Sequence, residues 1–399
     1  MHLPVDLSSA GLNSIKTVDM HTTGEPTRIV YAGYPVLCGT LLEQRAEAKS
    51  KYDHVRKSLM LEPRGHRDMY GAILRQETEL TSSGEAHIGV LFTTNEGYST
   101  MCGHATIALG RFLVDLHHVG IFPRRDELEL DPSSQSVELR LHAPCGLVKV
   151  TVPTNSDGSR ADSSRPVTFL CVPSFAVGTS INIHISDSLR WPELADRRDV
   201  VVDLSYGGAF YCMVAASQLG FPHGLTKADT ELNALDNASR LLKDAINSDP
   251  DVKGLIRHPQ HDDLSFLYSV IIVDDGAHHS QSATEIGLCF FGDQQIDRSP
   301  TGSGVAARVA LAYAKGEREM GERWSYHSLV SRAFRGGAFI GEPVKQIKIA
   351  SRFGADIDAV IVSVQGHAYY TGFNTFMVED DDPLAEGFLF NKLSEIQFP

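Results

Sequence analysis

No dense basic run, no long apolar stretch and no paired-cysteine motif occurs in the 399 residues, and each absence removes a class of function. Lys and Arg number 36 against 50 Asp and Glu, a formal net charge of −14. With no local cluster to offset that balance, nucleic acid and anionic membrane surfaces are poor partners. The purest apolar stretch, 266–273, is far too short to span a bilayer, and Met1 to Ser14 carry neither a basic leader segment nor an apolar one. A soluble, cytoplasmic protein without membrane association is therefore expected. The six cysteines stand at 38, 102, 145, 171, 212 and 289, so the nearest two are 171 − 145 = 26 residues apart. That spacing argues against zinc ribbons, dithiol redox motifs and a disulfide scaffold, and leaves most of the cysteines as small buried apolar residues. No G-x-G-x-x-G follows a strand and no phosphate-binding loop is present, so no cofactor is expected.

What remains is an ordinary globular composition, 42% apolar and 22% charged, in a chain long enough for two domains. Thr40 followed by Glu43 forms a capping box, which predicts a helix from there to about Met60; a second is predicted over 229–246. Short runs with alternating or β-branched apolar residues predict strands near 28–32, 71–75, 88–94, 137–142, 147–152, 167–172, 200–203, 210–215, 266–273, 346–350 and 359–364. The polar stretch 155–165 reads as a long hairpin turn, and 274–282 carries no signal.

Two segments share a pattern absent elsewhere. Met101-Cys102-Gly103-His104-Ala105 and Pro300-Thr301-Gly302-Ser303-Gly304 each follow a strand and a turn, then become a helix of small apolar residues. The offset, 301 − 102 = 199, is about half the chain, which predicts two similar halves, each presenting a helix start. Glycines after Cys102 and Thr301 leave backbone N–H groups bare, and with the helix dipole they suit a carboxylate. The same setting should draw Cys102 toward thiolate. Taken singly, either segment is equally well a tight strand-to-helix turn. Ionisable neighbours, His104 in one and Asp297 by the other, turn the pair toward an amino-acid site, with carboxylate on the helix starts and ammonium between His104 and Asp297. His104 also reads as a helix-start histidine satisfied by backbone, and Asp297 as a turn cap before Ser299-Pro300. His258-x-x-His261 has half a zinc pattern but sits in a polar run before a strand, where a structural role is favoured; no metal site is expected.

At these residues the sequence resembles the proline racemase family, and within it the branch that dehydrates trans-3-hydroxy-L-proline. The matching segments are Asp19 to Pro26, Glu62 to His66, Glu96 to His104, Val172 to Phe175, Asp203 to Phe210, Asp297 to Gly304 and Thr371 to Phe376. The resemblance implies an α+β protein of two similar halves, as in diaminopimelate epimerase, each a curved, mostly antiparallel sheet around a central helix, with the active site in the cleft between them. The halves are expected at 1–187 with 372–399, and at 188–371. The family's racemases place a cysteine at each helix start, facing opposite sides of the substrate's α-carbon. Here Cys102 matches the first, while the second position holds Thr301, whose hydroxyl has a pKa far above a thiol's. That pairing implies the dehydratase branch. Catalytic roles are thus expected for Cys102 and Thr301, and substrate contacts for Gly103, His104, Asp297, Gly302 and Ser303. Ala209, where many racemase-like members carry Asn, points the same way. The ligand implied is a hydroxylated proline, and a homodimer is expected by analogy. Two rivals stay open: a proline racemase or 4-hydroxyproline epimerase, and a non-catalytic amino-acid-binding relative.

Overall fold

The structure, a computed structural model, describes residues 13–274, 283–379 and 381–395. Residues 1–12 and nearly all of the stretch 274–282 lie outside them. Two buried helices, Gly103–Asp115 and Gly302–Ala314, are the axes of the fold, and the nineteen strands found among the described residues curve around them as one continuous sheet. Both helices are apolar and small on every side, with Ala105, Ile107, Ala108 and Leu109 in the first and Val305, Ala306, Ala307 and Val309 in the second all fully buried. A helix without a polar face has to be wrapped, and sheet covers each from several directions.

The wrapping follows one pattern twice. The hairpin Asn13–Thr22/Glu25–Ala32 is continued in parallel by Gly71–Arg75, then antiparallel by Ile88–Thr93 and the short Tyr98–Ser99, which feeds the first helix. After that helix the chain returns parallel to Ile88–Thr93 at Ser136–Ala143, then turns through Gly146–Pro153 to Val167–Leu170. In the second half Asp199–Tyr206/Phe210–Ala215, Leu267–Val273, Thr284–Phe291 and Gln295–Ile296 repeat those steps before the second helix. Trp324–His327, Phe339–Ile349 and Ile357–Gly366 repeat them after it. The internal repeat expected from the two helix starts is therefore a repeat of strand pairing as well. The two sheets join where Val167–Leu170 pairs antiparallel with Ile357–Gly366, and the chain closes by pairing Ala368–Val378 with Asn13–Thr22.

All eleven expected strands are present, and 155–165 is the hairpin connection between two antiparallel partners. The expected helix to Met60 is instead two, Leu41–Lys51 and Asp53–Met60, because Tyr52 leaves the helical region at φ −124°, ψ 19°. The capping box at Thr40 and Glu43 forms as read. Beyond Tyr52 the buried Arg56 pairs with Asp53 and donates to the carbonyls of Thr94 and Asn95, which aims the second piece at the cleft. The long strands Asn13–Thr22, Phe175–His184 and Ala368–Val378 went unread: the last two alternate partly exposed residues along their length, and Ala368–Val378 turns aromatic Tyr369 and Phe373 outward. Of the six cysteines, all free, Cys102, Cys171, Cys212 and Cys289 are buried, while Cys145 is half-buried and Cys38 exposed, so the apolar-filler reading fails for Cys38. His258 accepts hydrogen bonds at Nδ1 from the backbone N–H groups of Gln260 and His261, a turn-stabilising role. Among the described residues no group of three His, Cys, Asp or Glu is arranged to hold a metal, and no helix is long and apolar enough to cross a membrane.

Candidate active site

The starts of the two central helices meet backbone to backbone. A Cβ on Gly103 would lie 2.4 Å from Gly302 Cα, and one on Gly302 would lie 2.8 Å from Gly103 Cα, distances no side chain tolerates. Glycine at both positions is thus a condition of the close approach. The N–H groups of Gly103, His104, Gly302 and Ser303 have no acceptor among the described residues; further along, the Ala105 N–H is taken by Cys102 Sγ and the Val305 N–H by the Thr301 carbonyl. Two helix dipoles and four bare donors converge on one spot, an arrangement that binds a carboxylate.

The cavity at this junction is tight, with room for about one water between the atoms that line it. All seven expected site residues line it: Cys102, Gly103, His104, Asp297, Thr301, Gly302 and Ser303. Sequence reasoning missed the rest of the wall, Tyr70, Met101, Tyr211, Tyr268 and Phe291. Three tyrosines and a phenylalanine make the cavity narrow and dry, and none belongs to a motif with a recognisable spacing. Tyr70 immediately precedes a strand, Tyr211 and Tyr268 sit within strands, and Phe291 ends one, so each reads in sequence as an ordinary core aromatic.

Cys102 caps the first helix, with φ −146° and its sulfur accepting from Ala105 N at 3.3 Å. Burial nevertheless pushes the thiol up, well above its ordinary range, against the pull of the Ala105 N–H and the Tyr70 hydroxyl; the carboxyls of Asp297 and Glu25 add to the rise. The expectation that the helix start alone would draw Cys102 toward thiolate is corrected: in a dry cavity with two carboxyls nearby, desolvation outweighs one dipole. His104 Nδ1 lies 3.2 Å from the sulfur, but burial pushes the imidazole down to about 3, so it is neutral at physiological pH and offers a lone pair instead of a charge.

On the other side Thr301 occupies the left-handed region at φ 63°, which a β-branched residue adopts only where its surroundings compel it. Its N–H donates to Ser299 Oγ at 3.1 Å, and its hydroxyl is directed to Asp297 and Cys289 rather than to a helix cap. Asp297 Oδ1 accepts from Ser299 N at 2.8 Å, so the turn-cap reading holds, and the residue also lines the cavity. Burial lifts its carboxyl to about 6. Glu25, quoted in the first motif without a role, is fully buried beside this turn and accepts from Arg298 N at 2.8 Å. Its other oxygen has no partner, and burial together with Asp297 drives the carboxyl upward toward the neutral form. The halves are held in register around the cavity by Gln295, which accepts from Asn95 N and donates to the Met69 carbonyl, and by Arg298 on Asp68.

The family model described as proline racemase matches residues 17–389. The chain is 43% identical over 381 residues to a trans-L-3-hydroxyproline dehydratase of Bos taurus, covering 95% of each, and 41% identical over 380 residues to the trans-3-hydroxy-L-proline dehydratase of Homo sapiens, again covering 95% of each. Among solved structures, a probable proline racemase of Agrobacterium radiobacter K84 superimposes with a TM-score of 0.76 over 95% of this chain and 97% of that one, at 24% identity, which establishes the shared fold and nothing about activity. The chain belongs to the proline racemase family.

Proposed function

We propose that this chain is a hydro-lyase that dehydrates trans-3-hydroxy-L-proline to Δ1-pyrroline-2-carboxylate, the substrate named for its bovine and human relatives. The observation that carries the reading is the unequal pair in one cavity: a thiol, Cys102, at one helix start and a hydroxyl, Thr301, at the other. The substrate's carboxylate takes the N–H groups of Gly103, His104, Gly302 and Ser303, which also stabilise the charge that builds on it as the α-proton leaves. The ring ammonium sits between Asp297 and the lone pair of neutral His104. By balancing the Asp297 charge it weakens one of the fields that hold the Cys102 proton in place. Cys102 as thiolate then removes the α-proton.

In trans-3-hydroxy-L-proline the hydroxyl is trans to the carboxylate and so shares a ring face with the α-hydrogen, the face presented to Cys102. Loss of water gives the Δ2 enamine, which tautomerises to the Δ1 imine. Thr301 on the opposite face has a hydroxyl too weakly acidic to return a proton there, so the carbanion eliminates instead of inverting. No step calls on a cofactor. Within this reading the halves run 1–187 with 372–399, carrying Cys102, and 188–371, carrying Thr301. A cytoplasmic location and a homodimer belong to the same reading; six free cysteines support the first, and sizing of the purified chain tests the second.

The experiment is proton NMR in deuterated buffer with trans-3-hydroxy-L-proline, trans-4-hydroxy-L-proline and L-proline in separate tubes. Imine is expected in the first tube only. Deuterium uptake with epimer formation in the other tubes, and no water loss in the first, would assign the chain to the isomerases.

A further inference from the structure

The dehydratase reading leaves one chemical need unmet: hydroxide is a poor leaving group, and something on the Cys102 side has to protonate it as the C3–O bond breaks. Tyr70 meets the geometric conditions. It is 1% exposed and lines the cavity with Cys102 and Thr301. Its phenolic oxygen shares a hydrogen bond of 2.6 Å with Ser99 Oγ, itself buried. With Ser99 donating, the phenolic hydrogen is free to face the cavity. The ring is fixed by edge contacts, 4.6 Å from the His104 ring and 5.8 Å from that of Phe291. Among the other lining tyrosines, Tyr211 has its hydroxyl committed to Ser303 Oγ at 2.6 Å, at the second helix start.

We infer that Tyr70, braced by Ser99, donates the proton that converts the substrate's 3-hydroxyl to water, and that the same hydrogen bond selects a 3-hydroxylated ring over plain proline. The inference rests on the dehydratase reading. The 3-hydroxyl lies on the ring face that Cys102 addresses, and Tyr70 lines the cavity together with that sulfur. Burial holds the phenol protonated, so it arrives as a donor.

The step balances without an outside reagent. The Cys102 thiolate takes the α-proton, and the C–H electron pair becomes the Cα=C3 bond. The C3–O bond breaks, with the oxygen leaving as water on the Tyr70 proton. The resulting phenolate recovers a proton from the Cys102 thiol beside it, which restores both groups.

A leaving group that departs without a full proton transfer separates this role from packing. Tyr70→Phe and the wild type are compared on trans-3-hydroxy-L-proline, read as imine, and on trans-3-fluoro-L-proline, read as released fluoride. General acid catalysis contributes about 10²–10⁴-fold, so Tyr70→Phe is expected to lose that much water elimination while fluoride elimination stays within about tenfold of wild type. Equal loss on both substrates, or loss on neither, overturns the inference. Should Tyr70→Phe not fold, Ser99→Ala serves, with a smaller loss expected in the same direction and confined to the hydroxylated substrate; loss on both substrates or on neither overturns it equally. A wild type that releases neither water nor fluoride would fail the dehydratase reading itself, an outcome distinct from any difference between variant and wild type.

Discussion

The two halves repeat one order of strand pairing and offer two helix starts of the same construction, yet the residues at those starts behave oppositely. Cys102 has ordinary extended backbone and spends its side chain as a helix cap; Thr301 has left-handed backbone at φ 63° and caps nothing with its hydroxyl. A symmetric pair of acids and bases would move a proton from one face of a substrate to the other. Here the first half supplies a thiol that can pass through a thiolate, while the second half supplies a threonine hydroxyl at the matching position, beside a carboxylate, Asp297, and a strained turn. Repeated architecture fixes where the two groups stand, while the side chain at each start sets the chemistry available there.

The comparison breaks most completely at Cys102. Cys102→Ser keeps a capping acceptor at the helix start, an Oγ in place of Sγ, but removes the readily ionised group, so imine formation is expected to fall by roughly 10²–10⁴-fold with the fold intact by circular dichroism. Retained activity in this variant would show that the first half does not carry the base.

Asp297→Asn tests the second half's contribution. In wild type, kcat/KM is expected to fall as pH drops through about 6, because protonated Asp297 no longer balances the ring ammonium. It should still be rising on the alkaline side, because the Cys102 thiol is held above its ordinary range. The variant should lose the acidic limb and about 10–10² in kcat/KM. Its stability should move the other way. A carboxyl lifted from 3.8 to about 6 is easier to ionise in the unfolded chain, so ionisation costs the folded state ~3 kcal/mol, a cost that sets in between those two values and is complete at pH 7. Asn keeps the acceptor for Ser299 N without the charge. The variant should therefore melt higher than wild type at pH 7–8, with the gap closing near pH 4; equal melting curves at both pH values would contradict the buried, ionised carboxylate.

Much of this asymmetry was legible in the sequence, for reasons that differ by residue. Glycine after a candidate nucleophile, followed by a small apolar helix, is a local signal, and the offset of two such segments announced the repeat. Cys102, Thr301, His104 and Asp297 were found because they lie within a few residues of those signals. Tyr70, Tyr211, Tyr268 and Phe291 reach the cavity only because distant strands cross there, and nothing near them in the chain marks a wall of a site rather than a core. The ionisation of Cys102 was misread for the same reason. A helix start is visible in one dimension, whereas the desolvation, and the approach of Glu25 from a distant strand and of Asp297 from the other half that overrule it, arise only in the folded chain.

The contact between those halves is itself a target. Gly103→Ala puts a methyl 2.4 Å from Gly302 Cα, and since backbone has to shift to admit it, a destabilisation of about 1–3 kcal/mol in denaturant melts is expected, with a raised KM as the four N–H donors splay. A neutral outcome would mean that the helix starts are not pinned together in solution.

The smallest loss and the sharpest contrast are expected at Thr301. Because its hydroxyl is directed to Asp297 and Cys289 and stands on the face away from the α-proton, Thr301→Ala should keep imine formation within about tenfold of wild type. Thr301→Cys replaces the hydroxyl with a group that can carry a proton on and off carbon, at the one position where the repeat would place it. That variant is expected to exchange the α-hydrogen of L-proline or trans-4-hydroxy-L-proline for deuterium and to form the epimer, which wild type does not. The backbone at 301 already sits at φ 63°, so cysteine inherits that geometry, and Thr301→Ser, which loses the same methyl without gaining a thiol, is expected to show no exchange. Exchange in the variant and none in wild type would show that one side chain separates elimination from inversion on this scaffold. No exchange in either, with the variant folded, would mean that the second face of the ring is closed to proton transfer by something other than Thr301.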